Sequence, residues 1–470
     1  MCSTDLSWAR EARALGRISI AVSITMFAQL AISAVETLIV ARLGARALAG
    51  VTLALAVYLL LFLFALGIVT AITPIVAGAY GRGDMQELRV SGQQGLWVGL
   101  MVSLPAALLL FVCRGIVVRM VGAGAEADSA AAFLAGAAWG LPAWVSYVAV
   151  RCLAVATGQA RVTTLLMLAS VPVHAALTWW LVFGGFGVPA CGVAGAGAAY
   201  AVTAYGALAL LAVILCLSPG TAFASVFRYP IVLDPARCAA ILRLGLPFAC
   251  RIVLREGVLP AVAFAVAPFG ASAVAAHAVA ARIVELTGVF SFGFSDAANM
   301  RVSYAIGRAR PDAARHTALV AIQLSAVVGI GVAGILVMVP ATLLHRMLGN
   351  VDAATIATAA ALLPIAAALQ FLEAVQSAAG GALSGLRDAK GPLFISALGA
   401  WLVGIPVGVL LAHWAHMSVA GMWLGLVVGA SLTTALYLAR LRSMLARQRI
   451  TSPPAINAAV ALAPATSPPA

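Results

Sequence analysis

Residues 48–76 read LAGVTLALAVYLLLFLFALGIVTAITPIV, with no charged side chain along the whole stretch. About 20 mainly apolar residues suffice for a helix to cross the hydrocarbon core of a bilayer. Eleven further stretches meet that requirement. In the first half they lie near Ile18–Val40, Leu96–Val112, Ala131–Val150, Val162–Phe183 and Val193–Leu217. In the second half they lie near Ile241–Val266, Ala271–Met300, Ala318–Leu343, Ala354–Ala379, Leu393–His413 and Val419–Leu438. The polar stretch Ser218–Asp234 divides the two sets. Composition agrees: 63% of the 470 residues are hydrophobic and 9% charged, against roughly 25% charged in a soluble domain. Lipid solvates apolar surface that water would not, provided the backbone bonds within each segment. The expected fold is all-α and integral to the membrane, with twelve transmembrane helices.

The net charge of +13 sits between the apolar runs rather than along one polar face, so it sets topology and does not indicate a nucleic-acid partner. Of the basic residues, 20 fall on the side that carries both chain ends and 5 on the other, while Arg251, Arg255 and Arg282 fall inside predicted spans. This bias places both termini in the cytoplasm. Arg10, Arg13 and Arg17 precede the first span, which is read as an uncleaved helix. The seven scattered cysteines form no CxxC and are read as packing residues. No GxxxxGK[ST] phosphate loop occurs, and the only lysine is Lys390. The tail Thr451–Ala470, rich in Pro, Ala, Ser and Thr, is expected to be disordered.

The two sets of spans repeat one another. Leu43-Gly44-Ala45 before Leu48-Ala49 matches Phe269-Gly270-Ala271 before Val274-Ala275. Gly67 matches Gly293, Gly81-Arg82 matches Gly307-Arg308, and Val193-Ala194-Gly195 matches Val419-Ala420-Gly421. Every pair is 226 positions apart (67 to 293, 195 to 421). Six spans per half give both halves one orientation, so two homologous six-helix bundles should be related by a pseudo-twofold axis along the membrane normal. The boundaries expected are 1–217 for the first bundle, 218–240 for a linker, 241–441 for the second bundle and 442–470 for a basic, then disordered, tail.

An ionisable side chain inside a span is costly and by default points to function. Glu36 lies late in the first span, either as an interfacial partner of Arg42 or facing a central cavity. Glu256 lies within the seventh span beside Arg255, with Arg251 one turn earlier and Pro260 and Pro268 following. Proline frees backbone carbonyls and bends a helix, which makes room for an ion or water. Glu256 is read as a Na⁺ or proton acceptor, or else as half of a structural pair. Arg282 and Glu285, three apart on one helical face, are read as a structural charge pair. Glu373 and Gln376 are also three apart, and a carboxylate with an amide one turn away can ligate a cation or relay a proton. Glu373 is the foremost candidate. His174 and His277 are read as hydrogen-bonded structural residues. No metal site is expected beyond a possible Na⁺ at Glu256 and Glu373.

Several blocks resemble the multidrug and toxic compound extrusion (MATE) transporters, nearest to their bacterial drug/sodium branch, over roughly Ile18 to Leu441. They are Val35-Glu36-Thr37 followed by Gly44, Ala79-Tyr80-Gly81-Arg82-Gly83-Asp84, Gly245-Leu246-Pro247, Ala275-Ala276-His277, and Arg301-Val302 with Gly307. The most specific is Glu373-Ala374-Val375-Gln376 with Gly385-Leu386-Arg387-Asp388. The resemblance implies two six-helix bundles around a central cleft and export of cationic amphiphiles by H⁺ or Na⁺ antiport. It maps the family's acidic positions onto Glu36, Glu373 and, with a one-residue shift, Glu256. Two departures stand out: Ile18–Val35 lacks the family's proline, and Ala278 replaces its glutamine.

The expected function is therefore a cation-coupled antiporter of small amphipathic compounds working by alternating access in the bacterial inner membrane. One chain embedded in lipid is expected to suffice, with no cofactor other than the coupling ion and no enzymatic activity. Arg251, Arg255 and Arg282 keep open an alternative on the same fold, a flippase of a lipid-linked oligosaccharide.

Overall fold

The structure is a computed structural model that describes residues 7–121, 124–185, 187–218, 226, 232–338 and 352–451. The tail beyond residue 451, Arg346 and residues 219–225 and 227–231 lie outside the described residues. Among the described residues, twelve helices are long and apolar enough to cross a membrane. The first six are α1 (Trp8–Ala41), α2 (Ala45–Arg82), α3 (Met85–Val112), α4 (Ala125–Ala156), α5 (Ala160–Phe183) and α6 (Gly192–Leu217). The second six are α7 (Pro235–Phe269), α8 (Ala271–Gly307), α9 (Pro311–Met338), α10 (Ala353–Gly385), α11 (Lys390–His413) and α12 (Ser418–Arg447). No strand occurs among the described residues.

Several helices run past the apolar stretches that reveal them. α1 begins at Trp8, ahead of Ile18, because Arg10, Glu11 and Arg13 continue the helix to where their charges find water or partners. α7 starts where Asp234 accepts hydrogen bonds from the Ala236 and Arg237 N–H groups, with Pro235 at the first helical position. Breaks follow the prolines. α2 is interrupted at Ala71, where Pro74 has no N–H for the Thr70 carbonyl. α7 breaks at Gly257, where Pro260 cannot bond the Glu256 carbonyl, and it ends in a 3₁₀ turn at Ala267–Phe269 around Pro268. α11 passes through a π-helical stretch, Ala397–Gly404. Its Trp401 indole donates to the Leu254 carbonyl of α7 at 3.0 Å.

The repeat is present in the backbone itself. Gly44 and Gly270, which precede α2 and α8, have φ of 110° and 100°. Gly83 and Ala309 have φ of 74° and 54°, and Gly192 and Ser418 have 55° and 50°. All three pairs are 226 positions apart, so equivalent turns take the same left-handed conformation even where the second copy has a side chain.

One large core is built mainly from α1–α6 and takes in Cys238, Ile241 and Ala249 of α7 and Met300 of α8, and a second core draws on α7, α8, α10, α11 and α12. Between helices in lipid, association rests on close packing by small residues rather than on the hydrophobic effect. The bundles meet in that way. A Cβ on Gly307 would lie 2.1 Å from the Gly78 carbonyl oxygen, and one on Gly81 would lie 2.4 Å from that of Tyr304. These are the same contact seen from each side of the pseudo-twofold axis. Gly67 against Ala249 and Gly293 against Ser23 repeat the arrangement one level deeper. All of these contacts lie on the side where α1 begins and α12 ends, here called the terminal side. They continue inward to an edge contact of Phe27 with Phe290 at 5.5 Å.

Candidate functional site

Glu36 points into the first bundle. Its side chain and that of His174 on α5 are both 0% exposed, with His174 Nε2 3.6 Å from Glu36 Oε2. Arg42 is not its partner; that guanidinium lies over the Trp179 ring at 4.9 Å. The tautomer of His174 follows from its neighbours. The Thr203 hydroxyl gives its proton to the Ala199 carbonyl at 2.8 Å. It can therefore only accept from the imidazole, so Nδ1–H donates to Thr203 Oγ1 at 3.0 Å. In a neutral imidazole Nε2 then carries a lone pair. It accepts from the Thr178 hydroxyl at 3.3 Å and has the carboxylate on its other flank. Neither oxygen of Glu36 has a hydrogen-bond partner among the described residues, and the Tyr58 hydroxyl and Trp144 indole N–H are also unpartnered. A lone pair opposite a carboxylate is unfavourable unless one of the two groups holds a proton. An unsatisfied buried polar group costs about 1–3 kcal/mol, more when charged, so this pair is one proton short of a satisfied arrangement.

The second bundle collects its charges differently. The α7 break at Gly257 presents Arg255 and Glu256, whose Nε and Oε1 are 3.9 Å apart and which are both partly exposed. The Arg255 guanidinium stacks on Phe292 of α8 at 4.1 Å. The charges of Arg255 and Glu256 both reach Glu373 on α10. The amide next to Glu373 is Gln370 rather than Gln376. Turned so that both ends are satisfied, Gln370 donates to Glu373 Oε2 at 3.3 Å and accepts from the Gly288 N–H at 3.0 Å. Gln376 makes no hydrogen bond among the described residues. Arg251, a turn before Arg255, has its guanidinium 5.7 Å from the Phe248 ring. Arg282 Nη1 donates to Glu285 Oε2 at 2.9 Å, with the arginine side chain 72% exposed. His277 accepts from the Trp423 indole at 3.2 Å and lies 3.2 Å from the Leu259 carbonyl.

A carboxylate that the sequence reading passed over is Asp296 of α8. It lies 3.8 Å from Arg151 Nη1 of α4, so the pair joins the two bundles. The signal was available, since Asp296 falls within the predicted span Ala271–Met300. The apolar stretch ends at Val150, which leaves Arg151 outside the predicted span, whereas α4 continues to Ala156.

A model of the MatE family matches residues 21–180 and 251–410, two stretches of equal length, one in each half. The chain belongs to the MatE family. Among curated relatives, the probable multidrug resistance protein NorM of Bradyrhizobium diazoefficiens is 31% identical over 446 residues, covering 92% of this chain and 93% of that protein. The protein of the same description from Rhodopseudomonas palustris is 30% identical, covering 88% of each. Among solved structures, the eukaryotic MATE transporter AtDTX14 superposes with a TM-score of 0.80 at 18% identity, covering 95% of this chain and 100% of that one. A multidrug resistance MATE family transporter in an outward-facing conformation gives 0.84 at 18% identity, covering 93% and 96%. This MatE protein is thus a multi-pass membrane protein of a transporter family, with the twelve-helix, two-bundle fold expected from its sequence.

Proposed function

We propose that this MatE protein exports small, amphipathic, mainly cationic compounds by exchange for protons, with Glu36 and His174 holding the coupling proton. The observation that carries this reading is the Glu36–His174 pair: a fully buried carboxylate with no hydrogen-bond partner among the described residues, 3.6 Å from an imidazole nitrogen. A proton satisfies both groups at once. Na⁺ takes oxygen ligands as other hard cations do, and the imidazole blocks one face of the carboxylate. The relatives' description as multidrug resistance proteins supports the cargo class.

In this reading the terminal side is cytoplasmic, and the close inter-bundle contacts hold it shut while the far side is open. The moving bodies are α1–α6 and α7–α12. Proton uptake at Glu36 from outside lowers affinity for cargo, and proton loss inside restores it. Glu256 and Glu373, balanced by Arg255, supply a wetter cleft wall that suits a cation. Purified protein in proteoliposomes should move an organic cation such as ethidium when a pH gradient alone is imposed. Transport driven by a Na⁺ gradient and not by a pH gradient would refute proton coupling. A reporter fused after Arg449 should have cytoplasmic activity; activity on the opposite side would reverse the assigned direction.

A further inference from the structure

Opening the terminal side means parting the bundles there, so every charge pair that spans them must break. Such pairs include Glu11 with Arg301, Glu87 with Arg237 at 2.6 Å, and Arg151 with Asp296 at 3.8 Å. The first two lie at partly exposed helix ends. Glu11 on α1 and Arg237 on α7 are 226 positions apart, so they occupy equivalent places in the repeat with opposite charge. Water can take over for these rim pairs when they separate.

The third pair differs from them at its basic end. The Arg151 side chain is 5% exposed and that of Asp296 40%. Arg151 Nε makes no hydrogen bond among the described residues, so Asp296 is its ionic partner across the interface. Its repeat equivalents are Thr70 and Ser377, so the pair belongs to one copy only. The field of Arg251, from the carboxylate's own bundle, also reaches Asp296. When α4 withdraws, Asp296 keeps its place on α8, half exposed and without the guanidinium that faced it. Arg251 stays on the same bundle, and the place Arg151 leaves can take a second positive charge, in the opening through which cargo enters.

We propose that Asp296 binds the positive charge of the cargo in the terminal-open state, and that Arg151 replaces that charge when the side closes. Loading and closure then compete for one carboxylate, so closing the terminal side helps displace the cargo toward the far side. The inference rests on the export reading above and adds a binding residue to it.

The test is binding of rhodamine 6G to the purified full-length protein, followed by fluorescence anisotropy. Arg151→Met removes the internal competitor and should tighten binding severalfold. Asp296→Asn removes the acceptor and should weaken it about tenfold, within the range of ordinary coupling between sites. The double variant Arg151→Met/Asp296→Asn carries no stranded charge, so it folds without that penalty, and it should bind as weakly as Asp296→Asn. Opposite effects of the two single variants support the exchange. Equal weakening by both, or a double variant that binds like the wild type, overturns it and leaves the export reading standing. Failure of the wild type to bind the dye overturns both.

Discussion

The two bundles share a backbone repeat but not a chemistry. At 226-residue spacing the turns adopt the same left-handed conformation and the same glycine contacts recur across the interface. Yet the repeat equivalent of Glu36 is Val262, and that of Glu373 is Tyr147. The first bundle keeps one carboxylate fully buried against an imidazole, with no arginine ion pair to it among the described residues. The second sets two carboxylates around Arg255 near a break in α7, where Arg255 and Glu256 are partly open to solvent. A dry carboxylate without a compensating cation changes its protonation at high cost and so couples strongly to conformation. A solvated cluster with its own arginine is buffered against the same change. Duplication fixed the scaffold, and the halves then diverged in what they bury.

That contrast is broken or sharpened by substitution. Glu36→Gln should give the largest effect, a fall of up to about 100-fold in pH-driven export with insertion intact, if the whole coupling free energy passes through it. Efflux in a pump-deficient cell, with protein amount measured by blot, reads this out. His174→Gln keeps a side-chain donor for Thr203 but not the imidazole, and should lower the same rate about tenfold. Glu373→Gln should cost about tenfold or less, because Arg255 and Glu256 remain to balance the site. A loss in Glu373→Gln that exceeds the loss in Glu36→Gln would transfer coupling to the second bundle. Gly307→Ala tests the shared scaffold rather than the sites. Its Cβ would meet the Gly78 carbonyl, so thermal stability should fall by about 1–3 kcal/mol. Arg282→Ala breaks an exposed pair worth roughly 0.2–1 kcal/mol and should leave both stability and export within twofold.

The twelve spans and the repeat were legible because both are written in residue type: long apolar runs, and glycines at one spacing. Helix ends were less so. Apolar runs stop where the bilayer stops, while helices such as α1 and α4 continue into polar sequence. The three acidic candidates could be found because charge within an apolar run is conspicuous. Their partners could not, since His174 meets Glu36 from a helix 138 positions away in sequence. Gln370 and Gln376 both lie one turn from Glu373, and only the packing of α10 against α8 chooses Gln370. The Arg42 partnership considered for Glu36 fails for a similar reason: α1 turns that carboxylate inward, and Arg42 finds Trp179 instead.

Proton release on cargo binding tests the central claim most directly. Rhodamine 6G is added to purified protein in weakly buffered detergent solution, with a pH-sensitive dye recording the change. Because linkage is reciprocal, a cargo that expels the coupling proton must release about one proton per molecule bound. The wild type and Glu373→Gln should both do so, and Glu36→Gln should release none. Undiminished release from Glu36→Gln would contradict the assignment of the proton to the first bundle.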